Sequence, residues 1–521
     1  MEHQIIARSH ESKEGWQNAL FWGDCLQLLQ QLKEGDLRAE IEKNGGIKLI
    51  YIDPPFDVGS DFSMRIFVGE KQQCEGVAYR DRWKGGRVGF MEQLRARLLL
   101  MHELLADDGS IYVHCDWRIH PYMRLCMDDI FGAENLRNEL IWHYGGTGQS
   151  KHSFVQKHDN ILFYSKGKKN IFHVMEVPAK KKSGWTGKDT KVCDSCWSDI
   201  STTFQGERDN VLGYPTQKPE ALLERIIRAS SNPGDIVADF FCGSGTTVAV
   251  AEKLNRKWIA SDIGRMGLHT TQKRLWNLAN DIAVAPYLIC KLSSPPIDVA
   301  QVQSLFVGQT YHKTKERSVV VFQGDEEQLP ELPPDPVLLA PYFGHALCAQ
   351  IQEYKKKSNS WLCAYIPSEI LHTGGGGQLR FSELGIPSFS VHKTKESVVV
   401  RLCGFALCAP PFDRKMMSTW GERFDMLVIE EGQLIRLQQK RGKDLETEQI
   451  THSWNDWIDS WAIDVDWGKR ADGSFCASWK SFRMPKNREI AMESPPLQIS
   501  KGTTQIAIEV VDVFGNRVLI I

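Results

Sequence analysis

From Gly15 to about Asn280, short apolar runs alternate with amphipathic stretches, the pattern of strands and helices in a mostly parallel sheet. Lys48-Leu-Ile-Tyr-Ile-Asp53 is apolar without alternation, so it predicts a strand covered on both faces. Two prolines follow at once, and they cannot continue a ladder. Residues 90–105 have helical spacing and 109–115 read as the next strand, with 136–144 and 160–165 as two more. A helix over 221–230 is stopped by Asn232-Pro-Gly234. Then come a strand at 235–241, a helix at 245–254, a strand at 257–263 and a helix at 268–278 that closes the sheet. The fold class expected is doubly wound α/β, followed by β-rich C-terminal domains.

Beyond Ile282 the text changes. Residues 283–450 read as a β-rich accessory region, with an acidic, proline-rich linker at 325–336. Residues 312–321 are nearly repeated at 392–400, and 344–349 at 404–409, with different offsets. These echoes predict similar hairpin pieces, not a tandem repeat. Gly374 to Gly377 reads as a flexible tip, and 451–521 as a small antiparallel sandwich whose core takes Trp454, Trp457, Trp461, Trp467 and Trp479.

Composition narrows the class. The 521 residues call for two or three domains, and 42% hydrophobic with 25% charged residues is a globular mixture. No apolar run reaches membrane-spanning length, and the start of the chain lacks the apolar core of a signal peptide. The thirteen cysteines are scattered, as reduced thiols of a soluble cytoplasmic protein are. Cys193-Asp-Ser-Cys196 has no second ligand pair at zinc-finger distance, so no metal is expected. A net charge of −2 means that any nucleic-acid surface must be locally basic.

The candidate chemistry begins at Asp53-Pro54-Pro55-Phe56, where the buried strand ends. Loops at the carboxyl edge of such a sheet face the ligand crevice. An exocyclic base amine is a poor nucleophile because its lone pair is delocalised into the ring. A carboxylate (Asp53) and a fixed carbonyl (Pro54), each accepting one of its N–H bonds, would free that pair. Phe56 could stack on a base flipped from the duplex. By itself the tetrapeptide is also compatible with a proline turn closed by a capping Asp.

A second constellation is Asp239-Phe-Phe241-Cys-Gly243-Ser-Gly245-Thr246, at a strand-to-helix turn where glycines admit a ligand to the backbone. Asp262 ends the next strand and can accept ribose hydroxyls. Val248 replaces the third glycine of the dinucleotide pattern and no phosphate-loop lysine follows, which weighs against dehydrogenases and nucleotidases. Tyr214-Pro-Thr216-Gln-Lys218-Pro219 precedes a helix, and Phe21-Trp22-Gly23-Asp24 alone is a plain turn.

Together these segments resemble the amino-group DNA methyltransferases of the β order, in which the catalytic half precedes the cofactor half. The resemblance covers about residues 16–280 and implies a Rossmann-like methyltransferase domain over 16–282, with a target-recognition insertion at about 166–213. It implies S-adenosylmethionine as cofactor, touched by Asp24, Thr216, Lys218, Asp239, Phe241, Gly243, Gly245, Thr246 and Asp262. Asp53, Pro54, Pro55 and Phe56 match the family's catalytic motif. The family uses aspartate at its first position mostly for N6 of adenine and serine mostly for N4 of cytosine, and Phe56 stands where tyrosine is commoner. Residues 158–166 are similar to the strand before the recognition region.

The expected partner is double-stranded DNA, with a separate restriction or defence-system subunit beside it. DNA contacts are expected from Arg82, Lys84 and Arg87 after the catalytic loop, and from Lys180, Lys181, Lys182 and Trp185 in the insertion. Cytosine-N4 methylation and a DNA-binding module with a vestigial cofactor site are the alternatives, with a nicotinamide oxidoreductase more distant.

Overall fold

A computed structural model describes residues 3–11, 15–83, 85–146, 148–179, 189–203, 211–293, 299–300, 302–303, 319–322, 332, 336–341, 343, 345–355, 362–366, 382–408, 414, 424–440, 443–500 and 505–521. The chain forms two compact units. The first gathers 1–4, 12–63 and 77–293, and the second gathers 5–11, 64–76 and 294–521.

The first unit is built on strands in the order Cys196–Trp197, Leu136–His143, His158–Ser165, Leu105–Cys115, Ile47–Ile52, Ile236–Asp239, Lys257–Asp262, Asn18–Trp22 and Tyr287–Leu292. Only His158–Ser165 runs antiparallel to its neighbours. Leu49, Ile50 and Ile52 are all fully buried, as a strand covered on both faces requires. The helix Glu220–Ser230 explains one cover. Leu222, Leu223, Ile226 and Ile227 fall on one helical stripe and pack with Leu49, Tyr51 and Val237. Each such burial contributes about 1.5–3 kcal/mol.

The order places the site. From Ile47–Ile52 the chain proceeds to Leu105–Cys115 on one side, whereas from Ile236–Asp239 it proceeds to Lys257–Asp262 on the other. These two central strands pair in parallel, Val237 with Leu49 and Ala238 with Ile50. Strand order therefore reverses between them, and ligands of open α/β sheets bind at that switch point.

Three elements depart from the sequence expectation. Phe21 and Trp22 end a strand, Asn18–Trp22, and are not part of a plain turn. The helix Arg265–Leu278 does not close the sheet, because Tyr287–Leu292 pairs with Asn18–Trp22 beyond it. Asp61–Val68 and Gln72–Arg80 form a two-stranded ribbon after the Asp53–Phe56 segment.

In the second unit, Val319–Val321, Val337–Ala340 and Leu362–Tyr365 pair in parallel, with the helix His345–Lys355 between the last two in sequence. This portion of the accessory region is α/β in character. Antiparallel pieces follow: Gly385–Lys393 with Ser397–Leu407, then Phe424–Glu430, Gln433–Gln439 and Glu446–Gln449. The echo at 392–400 does span a hairpin turn. The other echo folds two ways, since 345–349 is helical while 404–407 lies in a strand. The last sheet is antiparallel, Trp479–Phe482, Ile458–Asp464, Ala507–Asp512 and Arg517–Ile520. Of the tryptophans expected in its core, Trp457 and Trp461 are fully buried, while Trp454, Trp467 and Trp479 are half-buried. The glycine run at 374–377 and most of the expected linker at 325–336 lie outside the described residues. Among the described residues no helix is long and apolar enough to cross a membrane, and no group of His, Cys, Asp and Glu could hold a metal ion.

Candidate active site

Asp53 follows the central strand directly, and its carboxylate has two unlike oxygens. Oδ2 is paired with the Lys218 ammonium. Oδ1 is buried and accepts no hydrogen bond among the described residues. A buried acceptor without a donor costs about 1–3 kcal/mol, so this oxygen is set up for an N–H brought by a ligand. Pro54 beside it is buried. Lys218, expected on the cofactor, is engaged with Asp53 in this structure. Its Nζ bonds Asp53 and lies 5.9 Å from the centroid of the Phe56 ring, a cation–π contact that ties these two side chains together.

The loop after the prolines is held by a residue that sequence reasoning missed. Asp81, fully buried, accepts the backbone N–H groups of Phe56 at 3.0 Å, Asp57 at 2.9 Å and Val58 at 2.9 Å, and the Trp83 indole N–H at 3.0 Å. Those amides converge because Asp57 adopts a left-handed conformation, φ 55°. The result is an anion nest filled from within the chain.

Beneath Phe56 lies a second unforeseen group. The His114 imidazole stacks on the Phe56 ring at 6.1 Å and 16°. Its Nε2 is 3.0 Å from Asp159 Oδ2 and its Nδ1 is 3.1 Å from the Tyr51 hydroxyl. Against the upward push of burial, the His114 hydrogen bond holds the Asp159 carboxyl below its ordinary value. Three strands thus fix one ring, whose face supports Phe56.

The cofactor half is organised by Asp239 and Asp262. Asp239 accepts from the Phe241 N–H at 3.0 Å and from the Thr247 hydroxyl at 2.5 Å, and burial pushes its carboxyl up to about 7. Asp262 accepts from the Gly243 N–H at 2.8 Å and the Gly264 N–H at 2.7 Å, and burial pushes its carboxyl up to about 6. Gly243 has φ +49°, and a Cβ there would meet the Tyr214 ring at 3.1 Å. Gly245 has φ +72°, and a Cβ would meet the Thr271 hydroxyl at 2.6 Å. Both turns therefore require glycine.

The 214–219 segment is locked to this turn. The Thr246 hydroxyl donates to the Lys218 carbonyl at 3.1 Å, and Arg274 donates to that hydroxyl at 2.9 Å. Thr216 lies in a left-handed conformation with its hydroxyl 3.1 Å from that of Tyr79, whose ring stacks on Phe62 at 4.8 Å. Phe241 is half-buried at the turn. Asp24, on the neighbouring strand end, is engaged structurally. It caps the helix Cys25–Lys33 by accepting from the Leu26 N–H and takes a forked bond from Arg97 at 2.7 and 3.0 Å.

Of the residues expected to hold DNA, Arg82 pairs with Asp61 at 3.2 Å and Arg87 with Asp57 at 3.3 Å. Lys84, Lys180, Lys181, Lys182 and Trp185 lie outside the described residues. Cys193 and Cys196 are free thiols.

A carboxylate with one buried oxygen stands at one central strand end, and a glycine turn and a second carboxylate stand at the next two, where open α/β sheets take their ligands. The sequence profile of the DNA methylase family matches residues 47–273. The DNA adenine methyltransferase YhdJ of Escherichia coli K12 is 31% identical over 255 residues, covering 45% of this chain and 80% of the relative. The type II methyltransferase M.EcaI of Enterobacter cloacae is 29% identical over 329 residues, covering 49% and 69%. Among solved structures, the M1.HpyAVI–SAM complex is 20% identical with a TM-score of 0.33, covering 49% of this chain and 98% of that one. The PvuII cytosine-N4-specific DNA methyltransferase is 18% identical with a TM-score of 0.36, covering 52% and 89%. Scores this low leave the assignment to the sequence matches. The chain belongs to the amino-group DNA methyltransferases, which use S-adenosylmethionine and act on DNA.

Residues of the switch-point crevice fit that cofactor. Each Asp262 oxygen accepts one backbone amide, from Gly243 and from Gly264, and keeps a lone pair for a ribose hydroxyl.

Proposed function

We propose that the protein methylates N6 of adenine in duplex DNA, as the modification component beside a separate restriction enzyme. The observation that carries the base assignment is Asp53, with a buried Oδ1 that lacks a donor next to a lysine-held Oδ2. The family resemblance associates aspartate at this place mostly with adenine. The partner follows from relatives named type II methyltransferases.

The residues act by orientation. Phe56, set by Asp81 and backed by His114, stacks on the extrahelical base. Asp53 Oδ1 accepts one N–H of the amine and the Pro54 carbonyl accepts the other, which localises the lone pair on nitrogen. Lys218 keeps Asp53 from rotating. Asp262, Gly243, Gly245, Thr246, Phe241 and Asp239 form the cofactor wall, joined by Thr216 and Asp24 at its margins. S-adenosylmethionine, when bound, would supply an electrophilic methyl group, its sulfonium sulfur keeping the bonding pair and leaving as a neutral thioether. Once the nitrogen has gained a fourth bond its extra proton leaves to water, so no dedicated base is required. Arg82 and Arg87, with Lys84, Lys180, Lys181, Lys182 and Trp185, are proposed to hold the duplex.

The test is to incubate DNA with the enzyme and labelled cofactor, digest it to nucleosides and identify the labelled one. N6-methyl-2′-deoxyadenosine is expected; N4-methyl-2′-deoxycytidine would replace this reading with the other amine.

A further inference from the structure

The loop between the Leu136–His143 and His158–Ser165 strands takes no part in the site described above. From Tyr144 to His158 the sequence contains Lys151, His152, Lys157 and His158, and no acidic residue. Both stems are anchored under the base platform. Tyr144 packs on Trp142 at 5.1 Å and Trp142 on His114 at 5.7 Å, while Asp159 at the other stem bonds His114. The loop thus rises from the same ring that backs Phe56.

Its outer part is shaped and apolar at the tip. The Ser150 hydroxyl accepts the N–H groups of His152 at 3.3 Å and Ser153 at 3.2 Å, which tightens the chain just before Phe154. Phe154 is 97% exposed and Val155 is 40% exposed. On the same sheet edge, after the Leu105–Cys115 strand, Trp117 is 50% exposed with the Arg118 guanidinium 5.1 Å over its ring. A phenylalanine left in water among lysines gains nothing within this chain. An aromatic ring flanked by cations does suit a partner that offers flat apolar faces between rows of phosphates.

We propose that residues 148–157 form a wedge for duplex DNA, with Phe154 entering the base stack beside the extrahelical target and Lys151 and Lys157 meeting the flanking phosphates. This rests on the reading of the protein as a base-amine methyltransferase. A base cannot be held on Phe56 without leaving a gap in the duplex, and an inserted ring compensates the lost stacking.

The test uses the full chain as wild type, Phe154→Ala and Phe154→Trp, on duplexes carrying the site recovered by mapping methylated bases in DNA from expressing cells. Single-turnover transfer is compared with the target base paired normally and with it opposite an abasic position, where unpairing costs less. Phe154→Ala should slow transfer on the paired duplex by roughly tenfold or more, and by no more than about twofold on the abasic one. Phe154→Trp should stay near wild type, and cofactor affinity should not change in either variant. Equal rates for wild type and Phe154→Ala on the paired duplex would overturn the wedge, as would a defect of the same size on both duplexes. A wild type that methylates cytosine would contradict the adenine reading while leaving this comparison intact.

Discussion

At the scale of single residues, the proposed mechanism rests on acceptors fixed where a flat amine would need them. Asp53→Ala removes the acceptor for the amine and leaves the cofactor wall untouched. Methyl transfer should fall by at least about a hundredfold while cofactor affinity stays within about twofold. Single-turnover kinetics and equilibrium binding separate the two. Asp81 makes a different prediction, because its carboxylate holds three backbone amides of the catalytic loop. Asp81→Ala should slow transfer without touching substrate and lower stability by a few kcal/mol, as three donors lose a shared acceptor. Normal stability together with normal transfer would remove it from the account.

Asp262 gives a pH dependence. Burial raises its carboxyl to about 6, so the folded chain holds this proton more tightly than the unfolded chain does. That contribution to stability is present below the ordinary carboxylate value and is lost as pH rises through about 6. Cofactor affinity should run the opposite way, because the ionised carboxylate is the better acceptor for ribose hydroxyls. The dissociation constant should fall between about pH 5 and pH 7, and Asp262→Asn should both weaken binding and flatten that limb. A profile unchanged by the substitution would show that another group is responsible.

At the scale of elements, what could be read in the sequence followed from locality. Asp53, Phe56, Gly243 and Asp262 stand at strand ends that apolar runs announce, and their backbone demands are written in neighbouring prolines and glycines. Asp81 and His114 were not legible, because nothing local connects an aspartate beyond a two-stranded ribbon to the amides of Phe56 to Val58. Lys218 sits in a recognisable segment, yet its partner is set by how the Glu220–Ser230 helix approaches the central strand. Tyr287–Leu292 escaped because the alternation of strand and helix was already complete at Leu278. Gly243→Val tests the turn itself. Its φ of +49° and the Tyr214 ring at 3.1 Å leave a branched side chain no position. Cofactor binding should drop by more than about tenfold, and unchanged affinity would place the cofactor elsewhere.

At the scale of the whole molecule, every residue placed in the crevice belongs to the unit that ends at Ser293. A chain ending near Val321 would retain a strand without Val337–Ala340, its neighbour in the second unit. A chain ending at Ser293 is the cleaner division. It should bind S-adenosylmethionine with near-normal affinity, although 5–11 and 64–76 lose the unit they belong to and thermal stability should fall. The most direct measurement of the central claim is nucleoside analysis of DNA treated with labelled cofactor and either wild type or Asp53→Ala. The account predicts labelled N6-methyl-2′-deoxyadenosine from the wild type and almost none from the variant. Equal labelling by both proteins, or label in no base at all, would contradict it.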